Sequence, residues 1–116
     1  MRKSVHIEGF KHANPIPNAS RIGNIVMSGV ILGRDTVTGN PAATLEEQCT
    51  LMFRYMRETV EAAGGNTEDI IKVSVWLQNS ADRNALNAEW TEMFPDPASR
   101  PARRPSWPGP RAPACR

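Results

Sequence analysis

Four kinds of side chain in this sequence could do chemistry: two histidines, two cysteines, a serine beside a glycine, and a run of arginines. His6 and His12 stand without Cys, Asp or Glu neighbours at ligand spacing, so no metal site is expected and both read as exposed or edge-strand residues. Cys49 falls on the apolar stripe of a helical segment, where a buried free thiol is expected. A disulfide from it to Cys115 is not expected in a reducing compartment. Ser28 precedes Gly29 within an apolar run and has no histidine in a recognisable partner motif, so it lacks the activation a nucleophile needs. Read alone, it is a small residue at a strand bend. Gly33-Arg34-Asp35 and Gly64-Gly65 lack the spacing of a phosphate-binding loop, so no nucleotide cofactor is expected. Arg103, in Pro101-Ala102-Arg103, carries a planar guanidinium able to grip a carboxylate through two parallel hydrogen bonds. By composition alone it is one solvated charge in a basic stretch.

The element that must position these groups is a helix predicted from Thr44 to Ala63. Leu45, Cys49, Met52, Phe53, Met56, Val60 and Ala63 share one stripe at 3.6-residue spacing, and Glu46, Arg54, Arg57, Glu58 and Glu61 face water. Thr44 and Glu47 spell a capping box, and Gly64-Gly65 supplies the left-handed stop. Upstream, residues 4–10 alternate as a short strand, and residues 11–20 form a Pro/Asn loop. Residues 21–32 read as one strand, its apolar run implying burial on both faces or a bend at Ser28-Gly29. Thr38-Gly39-Asn40 is expected to turn with positive φ.

Downstream of the helix, residues 70–77 alternate cleanly, with Ile71, Val73, Val75 and Leu77 on one side and Trp76 in the polar phase. Trp76 is expected at a subunit interface. Asn79-Ser80 caps a second helix over residues 81–93, with Leu86, Trp90, Met93 and Phe94 on its stripe. The order β-β-α-β-α fits an α+β domain with two helices on one face of a mixed sheet.

A chain of 116 residues supports one domain, and 40% hydrophobic with 22% charged residues is ordinary for a globular protein. The net charge of +2 is uneven: residues 96–116 hold five arginines and one aspartate, so the body is slightly acidic and gives no reason to expect nucleic acid. No apolar run approaches the roughly 20 residues that span a bilayer, and MRKSVHIEGF has no signal-like core, so no membrane partner and a cytoplasmic setting are expected. Seven of the ten prolines lie between Pro95 and Pro113. Residues 104–116 therefore read as a loose tail that cannot form a central strand, and Trp107 has no evident role.

Six motifs together resemble the YjgF/RidA family: NPIPNASRIGNIVMSGVI, Thr38-Gly39, EEQCTLMFRYMRETVEAAGG, DIIKVSVWL, LNAEW and SRPAR, spanning Asn14 to Arg103. The resemblance implies a chorismate-mutase-like α+β fold, a six-stranded sheet under two helices, and a homotrimer with clefts between subunits. It also implies a cofactor-free hydrolase that converts reactive, carboxylate-bearing enamines and imines such as 2-aminoacrylate to a keto acid and ammonia. A non-catalytic binding member of the family is the alternative. The endoribonuclease or translation-inhibitor label of other members has less support here, without an acidic cluster or paired histidines. By this resemblance Arg103 anchors the substrate carboxylate, Ser28 and Gly29 line the cleft, and Asn87 and Trp90 are structural.

Three departures matter. Ile16 stands where deaminating members have an aromatic hydroxyl. Arg104 and Pro105 replace Ser-Cys after the key arginine. The family's last strand supplies a proton-handling glutamate, whereas Glu92 is the last glutamate of this sequence. The expectation is a family domain over residues 1–103 with an atypical tail, 104–116, in place of the terminal strands. The carboxylate-binding half of the site is then present, and no catalytic acid or base is assigned.

Overall fold

Local turn chemistry decides the N-terminal half. A computed structural model of the chain describes residues 1–8, 14–35, 37–78 and 80–106. In it β1 (Lys3–Val5), β2 (Ala19–Ile22) and β3 (Ile25–Ser28) form an antiparallel sheet in that order. The single strand expected over residues 21–32 is thus two strands of a hairpin, with Ile22 opposite Ile25 and Ala19 opposite Ser28. Gly23 makes the turn at φ 56° while Asn24 stays at negative φ, as a two-residue turn with glycine in its first central position requires. Every residue of β3 is exposed in the single chain, Ile25 at 63% and Met27 at 74%, so the expected burial on both faces does not occur within one chain. The strand expected over residues 4–10 is limited to β1 among the described residues, and Phe10 and His12 lie outside them.

The central helix forms where its cap signals place it, with the Thr44 half of the expected capping box made and no return bond from the Glu47 side chain among the described residues. α1 (Leu45–Ala62) starts at Thr44, whose Oγ1 accepts from the Glu47 N–H at 3.1 Å. It stops at Gly64, φ 96°, where the Gly65 N–H turns back to the Val60 carbonyl at 2.9 Å. Thr44→Ala should cost about 1 kcal/mol, read as a lower urea midpoint at unchanged slope. The last turn of α1 has no basic residue of its own. Arg21 of β2 supplies one, donating Nη1 to the Ala63 carbonyl and Nε to the Gly23 carbonyl, which ties the hairpin turn to the negative end of the helix.

α1 buries two seams rather than one stripe. Cys49 and Phe53 meet Val75 and Leu77 of the following strand segment and Leu86, Trp90 and Phe94 of the second helix. Tyr55, fully buried and not on the expected stripe, packs with Ile7 and donates its hydroxyl to the Arg34 carbonyl at 2.6 Å. Ala63 closes against Val5 and Ala19. One helix therefore serves both sheets.

A 3₁₀ turn capped by Asn66 leads into β4 (Lys72–Trp76). Val75 is buried on the helix side, while Ile71, expected to share that face, precedes the strand and is 85% exposed. A second 3₁₀ turn, Ser80–Asp82, opens α2 (Arg83–Met93), and the expected cap residue Asn79 lies outside the described residues. The turn over residues 38–40 uses positive φ at Gly39 alone.

The chain then forms β5 (Ala102–Ser106), parallel to β4, with Arg103 opposite Val73 and Pro105 opposite Val75. The expected order thus gains one strand in the hairpin and one after α2, making β-β-β-α-β-α-β. A strand through Arg104 and Pro105 was not expected, and the ladder explains how proline enters it. The Ala102 N–H donates to the Ile71 carbonyl at 2.9 Å, so alternate residues face β4 and the missing N–H of Pro105 falls on the outward edge. The rest of the Pro/Arg-rich stretch, with Trp107 and Cys115, lies outside the described residues.

Candidate functional site

Arg103 is delivered by β5 to the α2 side of the β4–β5 pair. Asn87 and Trp90, three residues apart, lie on one face of α2. Arg103 Nη1 donates to Asn87 Oδ1 at 2.8 Å, and the guanidinium lies 4.9 Å over the Trp90 ring. Phe94 meets the same indole edge-on, with centroids 4.9 Å apart at 66°. The indole is buried and Arg103 is half-buried. This is a guanidinium held at two points, by an amide in its plane and a ring on its face. Asn87 and Trp90, expected to be structural, are its supports.

The other two expected site residues sit elsewhere in the chain. Ser28 ends β3, exposed, and Gly29 follows it. The Gly29 N–H donates to the Asn18 carbonyl at 2.9 Å, so it is committed within the sheet edge. Asn18 is itself buried, and its Oδ1 accepts from the Ile7 N–H at 3.0 Å. Within one chain Arg103 belongs to the parallel pair, whereas Ser28 and Gly29 belong to the antiparallel sheet and its edge. No hydrogen bond joins them among the described residues.

Two open cavities lie apart from Arg103. One, of 510 Å³, is lined by His6, Ile7 and residues 14–18, and so contains Ile16. The other, of 560 Å³, lies between residues 35–43 and the first turns of α1, where Glu46 and Glu47 make it acidic. At its rim Asp35 is held below the usual carboxylate range by the Thr38 and Val37 N–H groups that it accepts. Among the described residues no three His, Cys, Asp or Glu side chains gather as metal ligands would.

Cys49 is a buried free thiol. Burial pushes its ionisation up, and the charges of Glu89, Glu46 and Asp82 add to that shift. Little thiolate then forms at neutral pH, so alkylation of Cys49 in the native protein should run at least about tenfold slower than that of a free thiol. Mass spectrometry after timed iodoacetamide exposure checks this, and rapid native labelling of Cys49 would contradict it.

Against this geometry, the family model described as Endoribonuclease L-PSP matches residues 9–105. The chain belongs to the endoribonuclease L-PSP, or YjgF/RidA, family. It is 37% identical over 54 residues to the mitochondrial protein mmf2 of Schizosaccharomyces pombe, a match covering 47% of this chain and 43% of that protein. It is 29% identical over 84 residues to a 2-iminobutanoate/2-iminopropanoate deaminase of Dermatophagoides farinae, covering 72% of this chain and 66% of the relative. The L-PSP chain thus spans less than two thirds of either relative's length. Among solved structures it superposes on a putative endoribonuclease of Thermotoga maritima with a TM-score of 0.84 at 25% identity, covering 97% of this chain and 90% of that one. The α+β fold of the family is therefore the fold of this chain. No helix among its described residues is long and apolar enough to cross a membrane.

Proposed function

We propose that this L-PSP family chain hydrolyses carboxylate-bearing imines and their enamine tautomers to a 2-oxo acid and ammonia. The observation that carries the reading is the Arg103 guanidinium, fixed by Asn87 and Trp90. The name of the mite relative supplies the substrate class, 2-iminobutanoate and 2-iminopropanoate. Arg103 pairs with the substrate carboxylate and orients the C=N carbon for water. Water adds to that carbon, the C–N bond of the resulting carbinolamine breaks, and nitrogen leaves as ammonia with a proton from the added water. An imine is electrophilic already, so holding it in a fixed orientation supplies much of the rate.

A homotrimer completes the cleft in this reading, bringing Ser28 and Gly29 of one subunit towards Arg103 of its neighbour. The exposed apolar residues Ile25, Met27, Val30 and Trp76 support such assembly, because so much apolar surface is otherwise left in water. A cytoplasmic, reducing setting accords with the free thiol of Cys49.

The test follows keto-acid release from an imine generated in situ from an amino acid, with Arg103→Ala alongside and the oligomer measured by light scattering. Acceleration by a trimeric parent and its loss in the variant is the expected result. A second reading, a binding protein without turnover, draws on the neutrality of the two side chains that meet the Arg103 guanidinium among the described residues, since neither is an acid or base. Folded parent protein that binds a 2-oxo acid but accelerates nothing would establish it instead.

A further inference from the structure

A half-buried arginine ordinarily takes a carboxylate partner, because burying an unpaired charge is costly. Arg103 does not. Among the described residues its partners are the Asn87 amide oxygen and the Trp90 ring, both neutral. Arg54, by contrast, pairs with Glu58 one turn along α1 at 3.0 Å. The acidic residues of α2 closest to Asn87 are placed otherwise: Glu89 accepts from Thr50 Oγ1 at 3.0 Å, and Glu92 is exposed.

A neutral amide at this position does what a carboxylate would do for geometry, accepting one N–H and fixing the plane of the fork. It leaves the positive charge whole. The Trp90 face adds a second restraint without a counter-charge, since its attraction for the cation comes from the ring quadrupole. Arginine has five N–H donors, and Asn87 engages one nitrogen, so the rest of the fork keeps the planar, two-point geometry that suits a carboxylate.

We propose that Asn87 and Trp90 are positioning residues that hold Arg103 as a charged, uncompensated fork, and that the neutrality of Asn87 makes the site select anionic ligands. The ligand class rests on the deaminase reading above; the clamp itself does not. An aspartate at 87 would have nearly the same shape and a stronger hydrogen bond to Arg103. It would also cancel the charge that the ligand must meet.

The test compares the parent with Asn87→Asp, Asn87→Leu and Trp90→Leu, using 2-oxobutanoate and its uncharged amide as probes. Asn87→Asp should keep the parent's thermal midpoint, yet raise KM for the imine and Kd for 2-oxobutanoate by at least about tenfold, with little change in kcat. Its preference for 2-oxobutanoate over the amide should shrink in proportion. A purely structural Asn87 predicts unchanged binding in Asn87→Asp, and that result overturns the proposal. Side-chain ¹⁵N–¹H spectra of Arg103 supply a readout independent of turnover. Separate, slowly exchanging Nη resonances in the parent that merge in Asn87→Leu and Trp90→Leu are expected; merged resonances in the parent overturn the clamp. If the parent ignores both the imine and 2-oxobutanoate, the deaminase reading fails, and these spectra alone then decide the clamp.

Discussion

If the proposed deaminase reading holds, Arg103→Ala is expected to lower kcat/KM for a carboxylated imine by about 10²- to 10³-fold while the fold persists. The magnitude follows from what is lost. Two charge-assisted hydrogen bonds to a carboxylate are worth about 3–4 kcal/mol together when the site excludes water, and each 1.36 kcal/mol is a factor of ten. The stability cost is smaller, because Arg103 is only half-buried and its removal leaves one amide oxygen and one indole face to find other neighbours. About 1 kcal/mol is expected for that. Arg103→Lys separates charge from shape: it keeps the cation but has no planar fork, so it should recover only part of the lost rate. Steady-state rates on the in-situ imine, with the thermal midpoint of each variant, check both statements. Equal kcat/KM for parent and Arg103→Ala would remove Arg103 from the site.

Gly33→Ala is expected to destabilise the chain by about 2–4 kcal/mol. Gly33 is buried against α1, and a methyl group there would stand within 2.6 Å of Gln48 Cα and 2.7 Å of its carbonyl carbon. Those atoms are helix backbone. They cannot rotate away as the end of a long side chain can, so either α1 or the segment after β3 must shift. The shift would also strain the Ala42 N–H to Gly33 carbonyl bond at 3.0 Å and the Gln48 side-chain bond to the Ala42 carbonyl at 2.9 Å. A fall of about 10 °C or more in the thermal midpoint is the corresponding calorimetric result. A midpoint unchanged within about a degree would mean that α1 does not approach this backbone so closely.

The sequence displayed some of this plainly and hid the rest for identifiable reasons. α1 was legible because its period, its Thr44 cap and its Gly64 stop all agree, and its bounds moved by one residue at each end. The hairpin was hidden because β2 (Ala19–Ile22) carries Ser20 and Arg21 and so has too little apolar alternation to stand out as a strand separate from the apolar run that begins at Ile25. Gly23-Asn24 was the available signal: a two-residue Gly-Asn between apolar strands marks a hairpin even where hydropathy is flat. β5 was masked by Pro105, since proline argues against a strand only where its N–H would face a partner. Here it faces outward. Arg103 could be singled out by its motif, but its supports could not. Asn87 and Trp90 meet it only through the crossover from β4 through α2 to β5, a relation that no local spacing encodes.

That crossover also fixes when the site comes into being. The hairpin of β2 and β3 closes across two residues and α1 needs only its own neighbours, so both are local structures that form quickly. β5 finds β4 only after a loop of roughly thirty residues has closed, with Lys72 opposite Ala102, and that loop contains the helix Arg103 must lean on. The guanidinium is therefore expected to be placed among the last events of folding. A chain arrested before β5 docks would hold most of its helix and all of its hairpin, yet offer an anion no fixed charge. Appearance of the Arg103 side-chain Nη resonances on refolding should accordingly lag recovery of helical signal, with a lag set by strand pairing rather than by the helices.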